Sequence, residues 1–145
     1  IRKRRQRLHE KGVRLRVIGD ISKFAPDIQQ ALVDVMNQTE HNKKITAVFA
    51  LNYGGRDEIL RAIRALPSTQ GITSEVFSQY LDTKDIPDPD FIIRTSGEQR
   101  LSGFLPWQSA YSELYFPPWH MPDFTPARLD EALEEYAKRQ RRFGK

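Results

Sequence analysis

The chain contains no cysteine. That excludes disulfides and cysteine-bound zinc, and it is compatible with a cytoplasmic protein. No apolar run approaches the roughly 20 residues that a membrane-spanning helix needs. Histidine is scarce: His9, His41 and His120 stand alone, without metal-ligand spacing. The sequence holds neither Gly-x-Gly-x-x-Gly nor Gly-x-x-x-x-Gly-Lys, so it carries no dinucleotide fingerprint and no P-loop. No Ser/His/Asp arrangement, internal repeat or low-complexity tract is visible.

What is present fits a globular α/β protein. Hydrophobic residues make up 39% of the 145 and aromatics 10%, enough to bury a core and too many for a disordered chain. The net charge is +4. Positive charge gathers at Arg2, Lys3, Arg4, Arg5 and Arg7, and again at Lys138, Arg139, Arg141 and Arg142. Solvated helix ends are the ordinary explanation. Nucleic acid is the rival partner for such tracts, but no nucleic-acid motif accompanies them. An anionic substrate or a peripheral hold on an anionic membrane accounts for the charge equally well.

Short apolar runs alternate with helical spacing. Residues 1 to 11 read as a helix stopped by Gly12. Val13 to Ile18 alternate apolar and basic residues, as a strand with one buried face would. Pro26 suits a first helical turn, and Ile28, Leu32, Val35 and Met36 follow it at helical spacing. Ile45 to Leu51 reads as a buried strand, and Asn52 to Gly55 as the turn after it. Gly54 and Gly55 suggest a tight turn with unusual backbone angles, and Arg56 reads as structural, bracing the site or an interface. Ile59, Leu60, Ile63 and Leu66 form the apolar stripe of a helix ending at Pro67.

Further on, Thr73 caps a short helix with Val76, Phe77, Tyr80 and Leu81. Residues 82 to 90 are a loop. Phe91 to Arg94 and Glu113 to Phe116 are the last two strands. Thr125 and Pro126 open a final helix with Leu129, Leu133, Tyr136 and Ala137 on one face. This order implies a layered α/β fold with a mainly parallel β-sheet flanked by helices.

Chemistry concentrates between Phe91 and Phe116. Arg94 follows an apolar strand at once, and a polar turn with Gly97, Arg100 and Ser102 comes next. Ligands of open α/β sheets bind at such strand ends. Guanidinium groups suit phosphate oxygens, which they grip bidentately. The local reading is a phosphate or diphosphate site. Salt bridges to acidic neighbours such as Glu98 are the plain alternative for the two arginines. In a strand, Glu113 and Tyr115 face one way, Leu114 and Phe116 the other. Trp107, Tyr111, Tyr115 and Trp119 suit packing or an interface.

The same stretch resembles a known family. Arg94-Thr95-Ser96-Gly97-Glu98-Gln99-Arg100-Leu101-Ser102, with Phe104, Trp107-Gln108, Ala110-Tyr111 and Glu113-Leu114-Tyr115-Phe116, is similar to the C-terminal signature of cis-prenyltransferases, the undecaprenyl diphosphate synthase family. Asn52-Tyr53-Gly54-Gly55-Arg56 matches an upstream motif, and Arg142-Phe143-Gly144 the terminal Arg-x-Gly. The resemblance covers nearly the whole chain. Gly103 stands where many relatives have Asn, and Pro106 where many have Leu. Neither is a residue type that the chemistry requires.

The resemblance implies the following. Arg94, Arg100 and Ser102, with Leu101 between them, hold the diphosphate of isopentenyl diphosphate. Glu113 contributes to a Mg2+ site. Arg142 and Gly144 reach the active site of the partner in a homodimer and help bind isopentenyl diphosphate. The second substrate is an allylic prenyl diphosphate, and the product carries Z double bonds. The family's Asp-Gly-Asn-Gly-Arg-Trp loop, which bears the catalytic aspartate, does not occur here. We therefore expect residues 1–145 to be the C-terminal part of a single catalytic domain, inactive by itself. A non-catalytic partner subunit of a heteromeric enzyme is the alternative, and a nucleic-acid-binding domain a more distant one.

Overall fold

The computed structural model of the chain describes residues 5–139. The chain divides into two compact units, Ile1–Lys84 and Asp85–Lys145. Each is a parallel strand pair with helices, so the α/β class read from the sequence is the one observed.

The first unit begins with α1 (Arg5–Glu10), β1 (Val13–Ile18), a 3-10 turn at Ile21–Lys23, α2 (Pro26–Thr39) and β2 (Ile45–Ala50). Beyond α1, Gly12 donates its amide to the His9 carbonyl at 2.9 Å. Pro26 occupies the first turn of α2, where a missing amide costs nothing. β1 and β2 run parallel, with Val13 opposite Ile45 and Ile18 opposite Ala50. Parallel pairing needs a crossover, and α2 supplies it.

Leu15 and Ile18 of β1 and Leu32 and Val35 of α2 are buried. Burying each such side chain stabilises by about 1.5–3 kcal/mol. Thr39, also buried, accepts from the Leu15 amide at 3.0 Å and donates to the Val35 carbonyl at 2.8 Å. A polar group can be buried there because both its bonds are made.

The expectation of a buried strand at Ile45 to Leu51 does not hold. Ile45, Val48 and Phe49 are 61, 36 and 51% exposed. Among the described residues β2 pairs with β1 alone, and no layer covers its apolar side chains.

α3 (Gly55–Ala65) and α4 (Ser74–Ser78) complete the unit. Thr73 caps α4 as expected, accepting from the Val76 amide at 3.3 Å. Ala62, Phe77 and Leu81 form a buried cluster, with Ile59 and Leu66 packed on it. Leu60 and Ile63 are about half exposed. The buried face of α3 is therefore rotated from the expected stripe. It centres on Glu58 and Ala62, one turn apart.

The second unit holds β3 (Phe91–Ile93), β4 (Glu113–Tyr115), a 3-10 turn at Met121–Asp123 and α5 (Pro126–Ala137). β3 and β4 are parallel, with Phe91 opposite Glu113 and Ile93 opposite Tyr115. β4 ends one residue short of the expected Phe116, directly before Pro117, which has no amide to donate. Thr125 caps α5, accepting from the Arg128 amide at 3.4 Å. Leu129 and Leu133 stay partly exposed, while Ala132 is the residue of α5 that is fully buried. The Phe91 ring lies 4.9 Å from that of Tyr136 and 6.1 Å from that of Tyr115.

Candidate diphosphate site

The loop after β3 is built from β3 outward. Its first amide, that of Arg94, donates to the Tyr115 carbonyl at 2.9 Å and extends the ladder. Ser96 and Gly97 then donate to the carbonyls of Trp119 and Pro117 at 2.7 and 2.8 Å. The turn is thus tied to the segment leaving β4.

Five residues of this loop have left-handed backbone: Ser96 (φ 71°), Gly97 (69°), Ser102 (49°), Gly103 (81°) and Leu105 (48°). Three of them carry a side chain, and such conformations persist only where the surroundings impose them. Gly103 is explained by this geometry. Glycine and asparagine are the residues that tolerate it best, so a glycine at an asparagine position keeps the turn.

Arg94 sits at the centre. It is half-buried, and its Nη1 donates to the Ser102 hydroxyl oxygen at 3.0 Å and to the Arg100 carbonyl. The guanidinium therefore gathers the far side of the loop around itself. Arg100 points its own guanidinium into solvent and pairs it with Glu98. Of the sequence-expected set, Arg94, Arg100 and Ser102 come together on one loop, although the Arg100 side chain is engaged in the plain ion pair. Leu101 lies between them and lines a cavity.

That cavity, of about 470 Å3, is bounded by Phe91, Ile92, Ile93, Leu101, Phe104 and Phe124, with Thr95 and Met121, and Arg94 on its wall. A mainly apolar chamber with one guanidinium in its lining suits an amphiphile with an anionic head. Phe104, Met121 and Phe124 had no sequence signal for this role, because their approach to β3 depends on loop geometry.

Glu113 stands elsewhere. It begins β4 and pairs with Phe91, whereas Arg94 lies three residues beyond Phe91. Three residues of strand span about 10 Å. Arg139 Nη1 lies 3.0 Å from the Glu113 carboxylate and 2.7 Å from the Leu114 carbonyl. As expected for alternating strand residues, Tyr115 shares the Glu113 face, and its hydroxyl donates to Glu131 at 3.0 Å. Arg142 and Gly144 lie outside the described residues.

Among the described residues no group of three or more His, Cys, Asp or Glu could hold a metal ion. Glu113 offers a single carboxylate, already paired with Arg139. One carboxylate is at most one of the oxygen ligands that a magnesium ion needs.

The first unit has its own rim at the ends of β1 and β2. Gly19 has φ 99°, and a Cβ there would lie 2.2 Å from the Leu51 carbonyl oxygen. Its amide donates to Asp82 at 2.8 Å. The buried Glu58 accepts from the Tyr53 hydroxyl at 2.5 Å and from the Asp82 amide at 2.9 Å. Hydrogen bonds from Arg61, helped by the Gly19 amide, hold the Asp82 carboxyl below its ordinary range despite burial. Gly54, by contrast, has ordinary extended backbone (φ −140°), and the left-handed residue of this turn is Asn52 (φ 46°). The unusual angles expected of Gly54 therefore fall two residues earlier. Arg56 is exposed on the first turn of α3.

Parallel strand pairs define an α/β protein, and the basic loop at the end of β3, with an apolar cavity beside it, is its candidate site. Comparison supplies the family. Residues 1–144 match the family model described as "Putative undecaprenyl diphosphate synthase". The chain belongs to this prenyltransferase family. It is 47% identical over 152 residues to the isoprenyl transferase of Brucella suis, covering 99% of this chain and 60% of that protein. It is 51% identical over 145 residues to that of Rhizobium meliloti, covering 94% and 59%. The chain thus spans about 60% of the length of the curated relatives it matches.

Solved structures agree. A crystal structure of a "probable undecaprenyl diphosphate synthase" from Campylobacter jejuni matches with a TM-score of 0.88 and 32% identity, over 99% of this chain and 69% of that one. Lavandulyl diphosphate synthase from Lavandula x intermedia, solved in complex with dimethylallyl diphosphate, matches with a TM-score of 0.89 and 33% identity, over 97% and 64%. No helix among the described residues is long and apolar enough to cross a membrane.

Proposed function

We propose that the whole protein is a cis-prenyltransferase that condenses isopentenyl diphosphate onto an allylic prenyl diphosphate. The single observation that carries this reading is Arg94, bonded to Ser102 and lining an apolar cavity. A charged head against an apolar chamber is what a short prenyl diphosphate requires. Family membership supports the reaction class.

In this reading Arg94, Arg100 and Ser102 hold the diphosphate of isopentenyl diphosphate, and Leu101 packs beside its carbon chain. Rotating the Arg100 guanidinium off Glu98 costs little, because exposed ion pairs contribute at most about 1 kcal/mol. Arg142 and Gly144 complete the site from the neighbouring subunit of a homodimer. Glu113 supplies one carboxylate to magnesium. The ion, when bound, offsets charge on the departing diphosphate.

The alkene of isopentenyl diphosphate attacks C1 of the allylic substrate. A carbon–carbon bond forms, the carbon–oxygen bond to diphosphate breaks, and a proton leaves to set the Z double bond. Residues 1–145 hold the isopentenyl diphosphate clamp, and no catalytic residue is assigned within them. The catalytic aspartate and the allylic phosphate loop belong to a further segment, so the 145 residues alone do not turn over.

The test is radiolabelled isopentenyl diphosphate with an allylic primer and magnesium. The whole protein should form polyprenyl diphosphate and the 145-residue chain none. Robust product from the short chain, or none from the whole protein, would contradict the proposal.

A further inference from the structure

The segment that leaves β4 includes Pro117, Pro118 and Trp119. Prolines fix their own φ and offer no amide, so this stretch reaches its neighbours through carbonyls. Those of Trp119 and Pro117 accept from the Ser96 amide at 2.7 Å and the Gly97 amide at 2.8 Å. Pro117 is fully buried and Trp119 is 8% exposed.

Ser96 needs this hold. Its φ of 71° is left-handed, a conformation that a residue with a Cβ keeps only under constraint. The penalty is comparable to what one hydrogen bond contributes, so the bond to the Trp119 carbonyl decides whether the turn keeps its shape. Arg94 lies two residues before Ser96, and its guanidinium reaches across the loop to Ser102. The turn between them therefore sets where that guanidinium points.

The Trp119 indole is clasped on two sides. The Phe124 ring meets it edge-on at 5.4 Å and 70°. The Arg128 guanidinium of α5 stands 5.9 Å from its centroid, within cation–π distance. Glu131 steadies Arg128 at 2.6 Å and accepts from the Tyr115 hydroxyl of β4 at 3.0 Å. Side chains of α5 and β4 thus fix one indole, and the carbonyl of the same residue fixes the turn that carries Arg94. Trp119 lies outside the lining of the cavity.

We propose that Trp119 is a positioning residue for Arg94. Its clasped indole holds its carbonyl against Ser96, and the turn so held aims the Arg94 guanidinium at the diphosphate. This rests on the reading above that Arg94 binds isopentenyl diphosphate. Trp119 acts through the Ser96 amide and not on the diphosphate itself.

The test is equilibrium binding of radiolabelled isopentenyl diphosphate to the whole protein. Trp119→Leu should raise the dissociation constant about tenfold, the equivalent of one lost hydrogen bond to a charged group. Binding of the allylic diphosphate should not change. Trp119→Phe keeps a ring between Phe124 and Arg128 and should stay within about twofold of wild type.

The decisive arm is the Arg94→Ala background. There Trp119→Leu should have no further effect, because it acts through Arg94. A full additional tenfold rise in that background would show an effect independent of Arg94 and would overturn the proposal. Unchanged affinity in Trp119→Leu, when Arg94→Ala itself weakens binding, would overturn the proposal alone. If Arg94→Ala binds isopentenyl diphosphate as wild type does, the reading of Arg94 fails, and the proposal with it. If Trp119→Leu melts more than a few degrees below wild type, Arg128→Gln carries the comparison, since it unclasps the indole from a half-exposed position. It should raise the dissociation constant about threefold, and only where Arg94 is intact. No rise, or an equal rise without Arg94, would overturn the proposal.

Discussion

Arg61 grips Asp82 with both ends of its fork: Nη1 lies 2.8 Å from Oδ1 and Nη2 2.8 Å from Oδ2. Asp57 takes the remaining Nε at 2.9 Å. The pair sits at the end of β1, because Asp82 also accepts from the Gly19 amide. Its partners hold the Asp82 carboxyl below its ordinary value, and the Arg61 guanidinium is correspondingly raised.

This pair gives a pH signature. A carboxyl whose folded pKa is depressed adds stability above its unfolded pKa, about 4. That stability is lost as pH falls through the lower folded value. Asp82→Asn should therefore destabilise the whole protein at pH 7 by about 1–2 kcal/mol, a modest figure because Arg61 is one-third exposed and screened. It should also shrink the loss of stability below pH 4. Denaturant midpoints from pH 2 to 7 check both effects. An acid limb identical to wild type would mean that Asp82 does not contribute to it.

Glu113→Gln should keep the fold and raise the magnesium concentration needed for half-maximal activity. The amide is nearly isosteric but carries no charge for a hard cation. A magnesium titration is the measurement. A curve superimposable on wild type would remove Glu113 from the metal site and leave it as the anchor of Arg139.

Assembly is tested by complementation. If the proposed two-fold dimer forms, deleting residues 142–145 should cut activity without dissociating it. Mixed with Arg94→Ala protein and allowed to exchange subunits, the deletion should regain activity. Random pairing places an intact loop opposite an intact tail in about a quarter of the sites of a two-fold dimer. No recovery after verified exchange would place the tail in its own subunit's site, or in none.

The class of fold and the basic loop were legible in the sequence for the same reason. Both rest on local order: apolar runs of strand length, helical spacing, and two arginines in fixed positions after Ile93. Burial was less legible. Ile45, Val48 and Phe49 have the composition of a core strand, yet their exposure depends on which layers the described residues place over β2. Leu60 and Ile63 misled similarly, because Glu58 occupies the buried face once Tyr53 and the Asp82 amide satisfy its carboxylate. The Glu113–Arg139 pair joins residues 26 apart, and no local pattern announces it. Phe104 reaches the cavity from a loop whose left-handed residues include Ser102 and Leu105, and Phe124 from the end of the Met121–Asp123 turn, and composition foretells neither.

The central claim is that Arg94 holds the diphosphate of isopentenyl diphosphate. Equilibrium binding of radiolabelled isopentenyl diphosphate to the whole protein tests it most directly, with wild type set against Arg94→Ala and binding of the allylic diphosphate as the control. Losing one charged partner of a partly buried contact costs at least about 2 kcal/mol, so the dissociation constant should rise about 30-fold or more. Allylic binding should change little. Equal weakening for both substrates, or unchanged affinity for isopentenyl diphosphate in a folded variant, would contradict the account.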